Sequence, residues 1–358
     1  MLFYWILLFV VFILTFAGHC INNKKFKKTI VIVLFFIMFV LSAFRVNIGV
    51  DYAGYQRIYH VYESGWGSTF ASEPLFTLLN MFAVKLHLGF YFVIAVTALL
   101  TLLPICYIAY KENAPLLMGV YYLFLYSMSY SLVRQFIAMS FLLLSTYLYI
   151  KGRNVKAQVI FALLAAGFHI SAIAFIGVLF LSRFSRIDLK YALICCFLLV
   201  VVFGLLKGKV IGIFISLLNN TKYSRYFSNE STHNHTIRTS SGLGVILRYM
   251  VYFCYLITAN FTIKDKKSIR VFNFMFVAFL LSDLLAMNVE IMIRFRILLY
   301  VVLLIPVFQF KRIHDKEVGG YLVKLGMVMM PIMYLIVMKY QSDIVGWKNV
   351  PYQSWLIN

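Results

Sequence analysis

The chain has 358 residues, of which 63% are hydrophobic and 13% charged, and its mean hydropathy is +0.89. Soluble domains run at about 45–50% apolar and ~25% charged, so a soluble enzyme is excluded. The net charge of +21, from 33 Lys+Arg against 12 Asp+Glu, would suggest nucleic acid in a soluble protein. In a chain this apolar it first reports membrane topology, and no nucleic-acid partner is expected.

Apolar runs long enough to span a bilayer recur from Met1 to Tyr340 with no long polar segment between them, which predicts a single all-α integral membrane domain over residues 1–358. The first 21 residues lack a charged leader and an A-x-A cleavage site, and read as a retained span. Lys24, Lys25, Lys27 and Lys28 follow as a short basic loop, placed in the cytoplasm by the positive-inside bias with the N-terminus outside. The same bias puts Lys151, Arg153 and Lys156; Arg183, Arg186 and Lys190; Lys264, Lys266, Lys267 and Arg270; and Lys311, Arg312, Lys316 and Lys324 inside.

Residues 29–47 then lead out to an external loop over 45–88. It contains a 15-residue amphipathic piece, Glu73 to His87, too short to cross a hydrocarbon core of ~30 Å and read as an external interfacial helix. Spans at 89–110, 114–130 and 133–150 bring the chain back inside and set Arg134 at the outer end of its helix. Residues 157–182 are apolar except for His169 and are flanked by basic clusters at both ends; their 26 residues are too few for two full crossings. A pair of short helices broken near Gly167-Phe168-His169 is expected, which needs protein or a water-filled cavity around it. Further spans at 190–206, 244–262, 271–289, 296–310 and 321–340 make ten, with external segments over 207–243 and 341–358. Cys20, Cys106, Cys195, Cys196 and Cys254 all lie in apolar runs without metal spacing, so neither a disulfide nor a metal is expected.

Topology does not require Arg45, Arg57, Arg134, Lys207, Lys209, Lys222, Arg225, Arg238, Arg248, Arg294 and Arg296 on or near the outer face, and an anionic ligand there would explain them. Asp51 and Glu73 are candidate outer carboxylates or simple helix starts, since Glu73-Pro74 has residue types favoured in a first turn. Arg134 either snorkels or, with Gln135 and the free N–H groups of a helix N-terminus, binds an anion. His169 is either a hydrogen-bonded core residue or an ionisable group lining a site at membrane depth. Lys222-Tyr223-Ser-Arg225-Tyr226 suits phosphate binding with Tyr stacking on a sugar, or a plain interfacial belt. Asp283 is a candidate buried partner of a nearby arginine, with Arg294 the stronger ligand contact, and Pro351 to Trp355 reads as an aromatic anchor.

Taken in order, Arg45…Gly49-x-Asp51-Tyr52-x-x-Tyr55, Glu73-Pro74-x-Phe76, Arg134-Gln135-x-x-Ala138, Phe168-His169-x-Ser171, Lys222-Tyr223-x-x-Tyr226 and a late external Arg resemble the EpsG branch of the Wzy-type polysaccharide polymerases, over residues ~40–300. The resemblance implies a GT-C-like glycosyltransferase of the bacterial inner membrane. Its substrates would be undecaprenyl-diphosphate-linked oligosaccharides, and it would join a growing glycan to the next lipid-linked repeat unit at the periplasmic face in O-antigen or capsule assembly. No cofactor is implied; membrane lipid and a chain-length regulator are the partners to expect. Such transfer needs cations for the leaving diphosphate and a base for the acceptor hydroxyl. Arg134 and Arg294 are the first candidates for the diphosphate, supported by Arg45, Lys222 and Arg225. His169 is the candidate base, with Asp51 or Glu73 as rivals; Tyr52, Tyr55, Tyr223, Tyr226 and Gln135 are candidates for glycan contact. An O-antigen ligase, a lipid-oligosaccharide flippase and a membrane acyltransferase remain as alternatives, although no internal repeat favours a transporter.

Overall fold

The computed structural model describes residues 2–21, 23–67, 73–218, 242–263, 265–287, 290–309, 346, 348–349 and 351–355. The expected span at 321–340 and the expected contacts at Lys222, Tyr223, Arg225 and Tyr226 lie outside the described residues. Regular structure among the described residues is helical, with one isolated bridge between Arg45 and Ser354.

The first compact unit covers residues 2–173, 303–309 and the described tail. It begins with α1 (Leu2–Cys20) and α2 (Lys24–Ala43). The basic stretch after α1 is the first turns of α2 instead of the short loop expected. The reason is Asn23, whose side chain accepts from the backbone N–H groups of Lys25 and Phe26 and starts the helix early. Two short helices follow, α3 (Tyr52–Glu63) and α4 (Pro74–Lys85), the second starting with proline in its first turn, where no N–H is needed. α5 (Gly89–Glu112) ends at Asn113 in the left-handed conformation, φ 44°, and α6 (Pro115–Ser129) restarts on Pro115. After a break at Tyr130 to Leu132 come α7 (Val133–Ile150) and α8 (Val155–Phe168), the latter capped by Asn154.

α7 is the centre of this unit, packed against α5 and α8. Every residue of it is buried except Arg134 and Tyr149. By contrast α1, α2, α5 and α8 expose Phe9, Phe16, Phe36, Leu103 and Leu163. In water such surfaces would drive aggregation, whereas hydrocarbon solvates them at no cost.

The unit has two chemically different ends. At one end Lys28 stands 4.5 Å above the Tyr110 ring, and Glu112 accepts from Lys151 and from the Tyr147 hydroxyl, both at 2.8 Å. At the other end Arg45, just beyond α2, is buried, with its guanidinium donating to the carbonyls of Ser42 (2.7 Å) and Tyr130 (3.2 Å) and lying 4.8 Å from the Tyr130 ring. Those two carbonyls, one at the negative end of α2, take the place of a carboxylate. The tail closes on this end through Val46 to Gln353, Gly49 to Lys348 and Trp355 to Phe44 backbone bonds.

The second unit covers residues 174–302 among those described. It contains most of α9 (Ala172–Ser182), then α10 (Leu189–Leu218), α11 (Gly242–Thr262), α12 (Lys266–Ala286) and α13 (Glu290–Leu299), followed by α14 (Val301–Gln309), most of which belongs to the first unit. Asp265 caps α12 through the Ser268 N–H at 2.9 Å, and Asn260 and Asn273 exchange side-chain bonds at 2.7 and 3.0 Å.

Seven described helical stretches are long and apolar enough to cross a membrane: Leu2–Cys20, Lys24–Ala43, Gly89–Glu112, Val133–Ile150, Leu189–Leu206, Lys266–Ala286 and Met292–Gln309. The chain is a polytopic helical membrane protein. Of the ten spans expected, 114–130 is the short helix Pro115–Ser129, and Gly242–Thr262 has 21 residues but is not among the seven. The expected broken pair is present as α8 and α9, separated at His169 to Ser171, and the 15-residue amphipathic piece as the 12-residue α4.

Gly49 has φ 102°, and a Cβ there would lie 2.5 Å from the Tyr130 carbonyl oxygen, the same oxygen that holds Arg45. Gly49→Ala is therefore expected to destabilise the protein by on the order of 2 kcal/mol or more. Thermal unfolding in detergent checks this, and an unchanged midpoint would mean that the segment does not need this approach.

Candidate active site

The break before α7 leaves Arg134 and Gln135 in the first turn of a buried helix, and adjacent helical residues diverge by about 100° around the axis. One side chain therefore reaches towards α4 and the other towards the end of α8. That helix stops at Phe168; His169 is extended (φ −153°, ψ 120°), and the next helix starts at Ala172. Glu73 occupies the position before Pro74 at the start of α4, but its side chain makes no capping bond. Its carboxylate instead accepts from Arg134 Nη1 on one oxygen and from His169 Nδ1 on the other. His169 Nε2 lies 3.1 Å from the Gln135 side-chain nitrogen. With Nδ1–H given to Glu73, Nε2 carries the lone pair of a neutral imidazole and accepts from the Gln135 amide.

Burial grades across this cluster. The side chains of Glu73 and His169 are 8% and 7% exposed and Gln135 is buried, whereas the Arg134 side chain is 34% exposed. The Arg134 guanidinium also lies 5.5 Å from the ring centroids of Tyr55 and Phe76, which meet each other edge to face. Arg134 Nε and Gln135 Oε1 are buried without a partner. One carboxylate thus faces one guanidinium and one imidazole, so the buried negative charge is compensated from two sides. Burial opposes ionisation of Glu73, but the hydrogen bond from His169 and the charge of Arg134 outweigh it and hold the carboxyl below its ordinary 4.5.

The other expected residues are placed elsewhere. Arg45 is 2% exposed and engaged by carbonyls, beside a water-sized space lined by Ser42, Thr97, Thr101 and Ser129. Asp51 is exposed in the cap position of α3, while Tyr52 and Tyr55 are buried on that helix. Tyr52 donates to the Arg45 carbonyl at 3.4 Å and packs on Phe90, so its ring is spent inside the protein. In the second unit Arg294 is exposed on α13, and buried Asp283 accepts from Arg296 at 3.0 Å with Arg248 at 3.8 Å, the partnership expected of it. Sequence reasoning missed that Glu73 is the common acceptor for Arg134 and His169, and that Gln135 reaches the imidazole. The only signal for either was the adjacency of Arg134 and Gln135 in one first turn.

Among the described residues no three His, Cys, Asp or Glu side chains gather where a metal could sit. The fold and the site define a polytopic helical membrane protein with a buried Arg–Glu–His group at one end of its first unit. The family model described as the EpsG family matches residues 28–354, nearly the whole chain, and the chain belongs to that family. This ties it to a polysaccharide-polymerase type of role. No curated protein and no solved structure matches.

Because the Glu73 carboxyl is depressed in the folded state, its contribution is fully present above the ordinary value of 4.5 and is lost as pH falls through the folded value. Glu73→Gln should destabilise the protein above pH ~5 by on the order of 3 kcal/mol, the cost of a broken buried pair. The gap to wild type should narrow on further acidification. A gap independent of pH would show that the ion pair does not carry the effect.

Proposed function

We propose that the protein is a polysaccharide polymerase of the bacterial inner membrane. It transfers a growing glycan from undecaprenyl diphosphate to the next lipid-linked repeat unit at the periplasmic face, in O-antigen or capsule assembly. The observation that carries this is the single carboxylate of Glu73 joined to both Arg134 and His169 in a member of the EpsG family. Arg134, the member open to the outside, meets the diphosphate, and the planar fork of its guanidinium suits phosphate oxygens. His169 takes the acceptor hydroxyl proton on Nε2 while its Nδ1–H stays on Glu73. The acceptor oxygen bonds to the anomeric carbon, the bond from that carbon to the phosphate oxygen breaks, and undecaprenyl diphosphate leaves with the electron pair. Glu73 orients the imidazole and stabilises the imidazolium that forms, and Gln135 yields Nε2 to the incoming hydroxyl.

The periplasmic placement is supported by the polarity of the first unit. Arg134 opens α7, and Lys151 follows its last residue some 17 residues on, about 25 Å along the axis. The lysine-rich end of the unit is the one that the positive-inside bias assigns to the cytoplasm.

Elongation of a purified lipid-linked repeat unit in detergent tests this function. Arg134→Ala should abolish product while the protein remains in the membrane, and His169→Ala should slow turnover by about 10²–10⁴-fold, the usual range for a lost general base. Full-length glycan from both variants would remove these residues from the reaction. In cells, loss of the gene should leave one repeat unit on the lipid A core, whereas a ligase would leave none.

A further inference from the structure

We propose that occupation of Arg134 by a diphosphate is coupled to partial proton uptake by the Glu73–His169 pair: the arriving donor raises the pair's affinity for a proton, and the fraction of imidazole left neutral is the stronger base for the acceptor hydroxyl. This rests on the reading that Arg134 binds the donor diphosphate. Glu73 has two oxygens and both are committed, one to Arg134 and one to His169. Of this cluster Arg134 is the most open to solvent, and its Nε has no partner. A diphosphate therefore meets Arg134 first and competes with Glu73 for it. Whatever share of the guanidinium the phosphate oxygens take is withdrawn from a carboxylate that is only 6% exposed, so water cannot replace it. The field of Glu73 then falls on the imidazole, and the negative charge of the ligand adds to it.

Gln135 makes both protonation states tenable. Its amide nitrogen donates to neutral Nε2, and half a turn of the amide would present Oε1, which has no partner, to an Nε2–H. The remaining charged and titratable groups are remote or face other members. Tyr55 of α3 faces Arg134, with Asp51 and Arg45 beyond it. Lys85, Lys151 and Lys156 stand at the far ends of α4, α7 and α8, about 18 Å or more along the helix axes. The imidazole thus answers chiefly to Glu73, and Glu73 to Arg134. Linkage makes the coupling reciprocal: if binding takes up protons, affinity falls as pH rises, by about threefold per pH unit for each half proton.

The test uses full-length protein in detergent and dimethyl diphosphate with one methyl on each phosphorus, which carries two fixed charges and exchanges no proton near neutrality. Titration calorimetry near neutral pH in two buffers of different ionisation enthalpy counts the protons. Net uptake is expected in the wild type, with the probe still bound but uptake abolished in His169→Gln. Binding with the same heat in both buffers, or uptake that persists in His169→Gln, would overturn the coupling and leave Arg134 as an anion contact. No binding to the wild type, or undiminished binding to Arg134→Gln, would overturn the anion reading itself and the coupling with it. The wild-type comparison needs no variant, so the proposal stays testable where a substitution impairs folding.

Discussion

The polar end of the first unit depends on one buried negative charge. In a largely apolar bundle, Glu73 would be expensive to ionise alone, and it is tolerated because a guanidinium and an imidazole approach it from two sides. That requirement fixes the relative placement of three otherwise greasy segments: the start of α4, the start of α7 and the end of α8. Apolar packing tolerates sliding, since one methyl replaces another at small cost, but a shared carboxylate accepts only the geometry that satisfies both donors. The broken helix at His169 follows from the same constraint. A continuous helix from Val155 to Ser182 would leave no extended residue to aim an imidazole at Glu73.

Charge is handled differently a short way along the chain. Arg45 is as buried as Glu73, yet it is held by carbonyls and an aromatic ring. The contrast separates two kinds of arginine at this end of the unit: one consumed by architecture, one left with part of its surface open. The net charge of the chain, which topology explains in part, does not by itself distinguish them.

Much of the helical layout was legible because it follows from hydrophobicity and length. The break at His169, the short helix after Glu73 and the interruption before Arg134 were all readable from a polar residue in an apolar run and from spans too short to cross. Helix starts were less legible. Asn23 accepts from the N–H groups of Lys25 and Phe26 and draws the basic stretch into α2, where charge alone suggested a loop. Within the site, residue types were legible and partnerships were not. Glu73 and His169 are 96 residues apart, and nothing local to either says which donor the carboxylate selects. Arg45 misleads for the same reason, since its carbonyl partners carry no side-chain signature.

The tail strap has a consequence for the order in which the molecule can be completed. Tyr352 donates to the Leu41 carbonyl, Asn349 donates to the Ser127 carbonyl, and Tyr4 donates to the Asn349 carbonyl, so residues 349 and 352 bind segments made hundreds of residues earlier. Until residues 349–352 have been made, the groups they meet on α1, α2 and α6 lack these partners, so this end of the first unit closes only after most of the chain has been synthesised.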